Sequence, residues 1–253
     1  MSRGVLVTGS SSGIGRAVAE AFAALGDRVA VHYGSNRAAA EQALAALPGS
    51  GHVLLTGDLA DPMATQTLAD EAEAALGGVD VLVNNAAVAT GQENAHAVAG
   101  VSYADWQAVW QRMAAVNLFG TANLTYCVTR HMIDRGAPGR VVNIGSRGAY
   151  RGEPDHPAYG ATKAAVHAFG QSLAVSLAPH GIAVASVAPG FTATDRVADR
   201  LDGDQGERLR GQSPFGRVGT PAEVAAAVVY LASAEAAWAS GAVLDLNGAS
   251  HLR

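Results

Sequence analysis

Gly4-Val-Leu-Val-Thr-Gly-Ser-Ser-Ser-Gly-Ile-Gly15 runs from an apolar strand into a glycine-rich turn and on into an alanine-rich stretch that reads as helix. That order has a physical meaning. Glycine allows a tight turn and a close backbone approach to a bulky anion. The first N–H groups of a helix are unpaired donors at the positive end of its dipole. A pyrophosphate suits such a turn, so Gly9, Gly13 and Gly15 read as dinucleotide contacts. The bland alternative is a plain strand-to-helix turn.

Outward from this turn, short β-rich runs alternate with longer helical ones. Strands are expected at Gly4–Thr8, Arg28–Tyr33, Gly51–Thr56, Val79–Asn84, Arg140–Ile144, Ile182–Val187 and Ala242–Leu246. Helices are expected near Gly13–Leu25, Asn36–Leu47, Met63–Leu76, Tyr103–Arg135, Pro157–Pro179 and Pro221–Ala232. The alternation implies right-handed crossovers and a Rossmann-like, doubly wound parallel sheet of about seven strands. Strands such as Val79-Asp-Val-Leu-Val83 are almost wholly apolar, as strands covered on both faces should be. With 253 residues and no proline-rich linker, residues 1–253 read as one domain. The segment near 191–213 holds much of the local charge and reads as a substrate lid, or else as a plain surface helix.

Composition narrows the function. A formal net charge of −5 argues against a nucleic-acid partner, which would select a basic face. The single Cys127 rules out an intrachain disulfide and reads as a small buried hydrophobe. No signal-peptide pattern precedes the first strand and no apolar run reaches bilayer length, so a cytoplasmic protein is expected, with no membrane partner. No metal site is read.

The turn is spaced T-G-x-x-x-G-x-G from Thr8. Three more elements follow in order: Asn84-Asn-Ala-Ala87 after the fourth strand, Tyr159-Gly-Ala-Thr-Lys163 in a helix, and Pro189-Gly190 after the sixth strand. Together they resemble the short-chain dehydrogenase/reductase family over essentially the whole chain, with Ala87 where the family usually has glycine. The resemblance implies an NAD(P)(H)-dependent oxidoreductase that interconverts a carbonyl and a secondary alcohol by hydride transfer.

The residues themselves support that chemistry. Tyr159 and Lys163, four apart on a helix, project from one face. A free phenol is a poor proton donor at neutral pH, and a nearby ammonium favours its ionised form. Tyr159 is therefore expected to exchange a proton with the substrate oxygen. Ser146 ends the fifth strand, at the carboxyl edge where ligands bind, and is expected to hydrogen-bond that oxygen. Ser146 could otherwise cap a loop. It is no hydrolase nucleophile, because no G-x-S-x-G elbow surrounds it. By resemblance, Asn117 is the fourth catalytic member, its backbone carbonyl holding a water that links Lys163 to solvent, and Lys163 also holds the nicotinamide ribose.

The expected cofactor contacts are Thr8, Gly9, Ser11, Ser12, Gly13, Ile14 and Gly15 in the turn; Tyr33, Ser35, Asn36 and Arg37 after the second strand; Asp58 and Leu59 after the third; Asn85, Ala86 and Ala87 after the fourth; Tyr159 and Lys163; and Pro189, Gly190, Thr192 and Thr194. NAD-preferring members usually carry an acid at the end of the second strand. Here Val29-Ala-Val-His-Tyr-Gly34 has none, and Arg37, Ser35 and Asn36 can meet a ribose phosphate, so NADP(H) is preferred with NAD(H) possible. Arg37 could instead be a solvated helix residue, and Asp58 a helix cap, although Asp61 is the better cap.

Phe191, Arg147, Tyr150, His156 and a lid around Arg196 are pocket candidates. The sequence resembles both 3-oxoacyl-carrier-protein reductases and sugar dehydrogenases. Val175, where carrier-protein reductases commonly have a basic residue, argues against an acidic protein carrier, so a small-molecule substrate is expected. A non-catalytic dinucleotide-binding regulator is the rival, and a dehydratase or epimerase a third class. The resemblance also implies a homotetramer, with Tyr103–Arg135 and Pro157–Pro179 at one interface and the C-terminal strand and tail at another.

Overall fold

The computed structural model describes residues 2–194 and 201–253. Its strands are β1 (Gly4–Val7), β2 (Arg28–Tyr33), β3 (Val53–Thr56), β4 (Val81–Asn84), β5 (Gly139–Ile144), β6 (Ile182–Pro189) and β7 (Val243–Leu246). They form one sheet in the order β3-β2-β1-β4-β5-β6-β7, every pairing parallel. The single-domain, doubly wound α/β reading of the sequence is borne out. Most strand ends differ from expectation by one or two residues, the usual scatter where ladders fray.

The helices are α1 (Gly13–Ala24), α2 (Arg37–Ala45), α3 (Pro62–Leu76), α4 (Tyr103–Met113), α5 (Thr121–Asp134), α6 (Gly148–Arg151), α7 (Pro157–Leu177), α8 (Gly203–Arg210) and α9 (Pro221–Leu231). Their ends follow from local chemistry. Asp61 caps α3 by accepting from the Met63 N–H, with Pro62 at the first turn and Gly77 left-handed at the end. Thr220 and Glu223 form a reciprocal capping box on α9.

One expectation needs correction. Tyr103–Arg135 is not a single α-helix: Ala114–Gly120 is a π-helical turn between α4 and α5. The Asn117 carbonyl in this turn accepts from the hydroxyl of Thr121, at the start of α5, at 2.9 Å. Periodicity cannot register such a widened turn, because the chain stays helical on both sides.

Two apolar layers cover the sheet. On one face Val18, Phe22, Val224 and Val228 of α1 and α9 pack on Val5, Val29 and Val142. On the other, Leu68, Leu124, Met132 and Leu177 pack on Leu6, Leu82 and Val184. The chain departs from β1 toward β2 on one side, and β4 lies on the other. That reversal opens a crevice at the carboxyl ends of β1 and β4.

Gly15 fits this crevice only as glycine. A Cβ there would lie 2.4 Å from both Asn85 Nδ2 and Gly9 O. Gly15→Ala is expected to cost about 1–3 kcal/mol by overpacking, lowering the melting temperature by several degrees. A variant melting with the parent would disprove that packing.

Candidate active site

The carboxyl edge opens onto a cleft of about 880 Å³, a size suited to a small-molecule ligand. Its wall includes most of the sequence candidates: Gly9, Ser11, Ser12, Gly13, Ile14, Ser35, Asn36, Asp58, Leu59, Asn85, Ala86, Ala87, Ser146, Tyr159, Lys163, Pro189, Gly190, Thr192 and Thr194. Thr8, Gly15, Tyr33, Arg37 and Asn117 are not part of the wall. The pocket candidate Arg196 lies outside the described residues.

Thr8 acts from behind. Its buried hydroxyl accepts from the Asn85 and Ala86 N–H groups at 2.9 and 3.0 Å and reaches Val83 O at 3.3 Å. The Asn85 side chain returns two bonds, to the carbonyls of Thr8 and Gly9. These contacts weld the ends of β1 and β4. Gly9 has φ +62°, and a Cβ there would lie 2.9 Å from Ala86 Cα.

The glycine turn is arranged for an anion. Ser12 at the start of α1 makes no side-chain cap, and the first turn of α1 holds no acid. The helix start is therefore left for a ligand's oxygens, and a dinucleotide pyrophosphate fits.

His32 was not expected here. It is 2% exposed on β2. Its Nδ1 accepts from the Gly9 N–H at 3.1 Å, so its proton sits on Nε2, 3.0 Å from Gly57 O. A neutral imidazole thus links the turn to the end of β3, and burial pushes its pKa down. A lone histidine in a strand carries no signal of such a role.

Past β2, Gly34, Ser35 and Asn36 reach the cleft. Asn36 caps α2 by accepting from Ala39 N–H at 3.0 Å. Arg37 turns to Glu41, its Nε 2.7 Å from Oε1, both side chains solvated. Asp58 lies in the wall, accepts from Ala60 N–H at 2.9 Å and stands 3.5 Å from Arg112.

The catalytic candidates converge from separate elements. Lys163 on α7 is buried, and its Nζ donates to Ile144 O at 2.7 Å, at the end of β5. Desolvation, with no carboxylate to offset it, pushes the ammonium pKa down to about 8. The same Nζ lies 5.8 Å from the centre of the Tyr159 ring. Ser146, just past β5, accepts from the Gly148 N–H at 3.0 Å, and its own O–H has no acceptor among the described residues. Both the loop-capping and the substrate-facing readings of Ser146 are therefore compatible in one side chain.

Asn117 sits behind the wall. Its side chain brackets Val88, accepting from its N–H at 2.7 Å and donating to its carbonyl at 3.2 Å, and also reaches Thr162. The π turn thus braces both the segment after β4 and the Tyr159 helix. The Ala89–Ser102 stretch is tied to the same helix: His96 Nε2 accepts from Ala158 N–H, and His156 Nε2 contacts Gly91 O.

Comparison with known proteins finds relatives over nearly the whole chain. Residues 9–251 match the family model described as enoyl-(acyl carrier protein) reductase. An L-rhamnose 1-dehydrogenase (NAD(P)(+)) from a Sphingomonas strain is 35% identical over 98% of this chain and 96% of its own. The 3-oxoacyl-(acyl-carrier-protein) reductase of Escherichia coli is 36% identical over 98% and 96%. The crystal structure of a short chain dehydrogenase from Burkholderia cenocepacia in complex with NADP superposes with a TM-score of 0.86 at 30% identity, covering 98% and 97% of the two chains. The chain belongs to the short-chain dehydrogenase/reductase family. Its activity is accordingly that of an NAD(P)-dependent oxidoreductase working between a carbonyl and an alcohol.

Beneath this site, His167 is 3% exposed and neither ring nitrogen has a hydrogen-bond partner among the described residues. Desolvation, then the Lys163 charge, lowers its pKa to about 4. Between the unfolded value of about 6.5 and these lowered values the unfolded chain binds more protons, so stability falls as pH falls. Denaturation followed from pH 7 to pH 4 is expected to lose about 2–3 kcal/mol through His167. His167→Leu, which orphans no partner, should flatten that limb. An unchanged acid limb in the variant would refute the assignment.

Proposed function

We propose that Tyr159 is the proton donor and acceptor, that Ser146 holds the substrate oxygen and that Lys163 is their electrostatic support. In the reducing direction Tyr159 gives its proton to the carbonyl oxygen while the Ser146 hydroxyl hydrogen-bonds the same atom. The Lys163 charge stabilises the phenolate left behind. The observation that carries this reading is the buried, carboxylate-free ammonium beside the Tyr159 ring in the cleft that also holds Ser146. Such a charge is costly for the fold and is explained by work at the site.

The nicotinamide dinucleotide, when bound, supplies the hydride in reduction and accepts it in oxidation. Its pyrophosphate would lie on Ser11–Ile14, its adenosine end at Ser35, Asn36, Asp58 and Leu59, and its nicotinamide end near Lys163, Pro189, Gly190, Thr192 and Thr194. Asn117 acts as a positioning residue through Val88 and Thr162, and a water on its backbone carbonyl would link Lys163 to solvent. The lid is assigned to the stretch near 191–213, of which 195–200 lie outside the described residues.

NADP(H) is the preferred cofactor in this reading, with NAD(H) tolerated. Gly34, Ser35 and Asn36 meet the cleft with no carboxylate among them to repel a ribose phosphate, and the Burkholderia relative holds NADP. Arg37 would leave Glu41 to pair with the phosphate. Carbonyl-dependent NADPH oxidation is expected to fall at least about 100-fold in Tyr159→Phe, and Arg37→Ala to weaken NADPH more than NADH. Full activity in Tyr159→Phe would refute the mechanism, and equal, unaltered affinities would refute the cofactor preference.

A cytoplasmic homotetramer completes the proposal. No helix among the described residues is long and apolar enough to cross a membrane. Tyr103, Phe119, Tyr126 and Val175 are exposed along α4, the π turn, α5 and α7, and Trp238, Leu244 and Leu252 around edge strand β7. A solution mass of four chains is expected by light scattering; a single-chain mass would refute it.

A further inference from the structure

We propose that the cleft selects carbonyl compounds bearing a carboxylate, received by the guanidinium of Arg147. This deepens the oxidoreductase reading above and rests on it. Arg147 follows Ser146 directly, and both residues line the same cleft.

Arg147 is 7% exposed. Burial lowers its pKa and the neighbouring Arg151 adds to that, while Glu153 opposes. A guanidinium nonetheless stays protonated, so the site carries a desolvated positive charge. Its hydrogen bonds go to neutral oxygens, Ser250 Oγ and Gln212 Oε1. Arg151 Nη1 donates to that same Gln212 oxygen at 2.9 Å. Two cations thus share one uncharged acceptor. Glu153 lines the cleft too, but neither guanidinium hydrogen-bonds to it among the described residues.

A buried charge in that condition is costly unless an anion joins it. Arg147 has N–H groups beyond the two it spends on Ser250 and Gln212. A carboxylate matches the guanidinium fork in shape and matches one buried cation in charge. A phosphate dianion would draw on the solvent-exposed Arg151 as well. Arg147 also stands in the wall of a second chamber of about 380 Å³, shared with Phe191, Leu209 and Gln212. The carboxylate would therefore sit at the partition between the two spaces. A purely structural Arg147, clamping Gln212 to the C-terminal Ser250, would treat charged and neutral substrates alike, and that separates the two roles.

The test uses the full chain with NADPH. Catalytic efficiency is compared for pyruvate, acetoacetate and levulinate against their methyl esters, and for dihydroxyacetone phosphate against dihydroxyacetone. At one chain length or more the acid is expected to exceed its ester at least about tenfold. That ratio should fall toward one in Arg147→Gln and be partly kept in Arg147→Lys. A ratio measured within one sample cancels any loss of folded protein. Ratios near or below one at all three lengths overturn the proposal, as does a ratio unmoved by Arg147→Gln or a preference confined to the phosphate. If no probe turns over, charged or neutral, the oxidoreductase reading is what has failed. The carboxylate site is then decided by melting with NADP present. Stabilisation by levulinate but not by its ester, lost in Arg147→Gln, supports the site, and no stabilisation overturns it.

Discussion

The weld between the ends of β1 and β4 is the contact on which the site depends. A parallel sheet whose order reverses has a natural gap there, because no crossover covers it. Thr8 and Asn85 close the floor of that gap with hydrogen bonds in both directions. Gly9 lets the two backbones approach with no side chain between them, and Gly15 lets α1 start directly against them. The floor is tied by bonds within the protein, and the donors above it, at the uncapped start of α1, stay available.

The opposite wall and the layer beneath it are built on a different principle. Lys163, His167 and Arg147 are ionisable groups held largely out of water with few compensating partners. Each lowers the stability of the fold relative to an apolar filling of the same volume. Their concentration around β5 and α7, with a well-packed apolar core elsewhere, is the pattern expected where stability has been given up for chemistry.

Several residues of the cleft wall were legible because they belong to local signals. The glycine turn, the four-residue interval of Tyr159 and Lys163, and Ser146 at a strand end each tie a residue type to an element end or face. The absence of an acid after β2 was equally readable. Arg37 was less so: its α2 neighbour Glu41 claims the guanidinium, at an i, i+4 distance that the sequence also contains. Asn117 was read by resemblance, but its bracketing of Val88 depends on a π turn that no periodicity reports.

The sequence by itself determined the layered sheet, the position of the ligand turn and which side chains could carry proton transfer. These follow from strand and helix periods and from the fixed relation between a strand's carboxyl end and the helix after it. Only the tertiary structure decided that His32 links Gly9 to Gly57, that Ile144 receives the Lys163 ammonium and that Arg147 and Arg151 meet at one amide oxygen. The physical reason is range. Each of the His32 and Lys163 links joins elements distant in the chain, and the arginine pair meets across Gln212 from far downstream, so their partners and dielectric surroundings exist only once the sheet has brought those elements together.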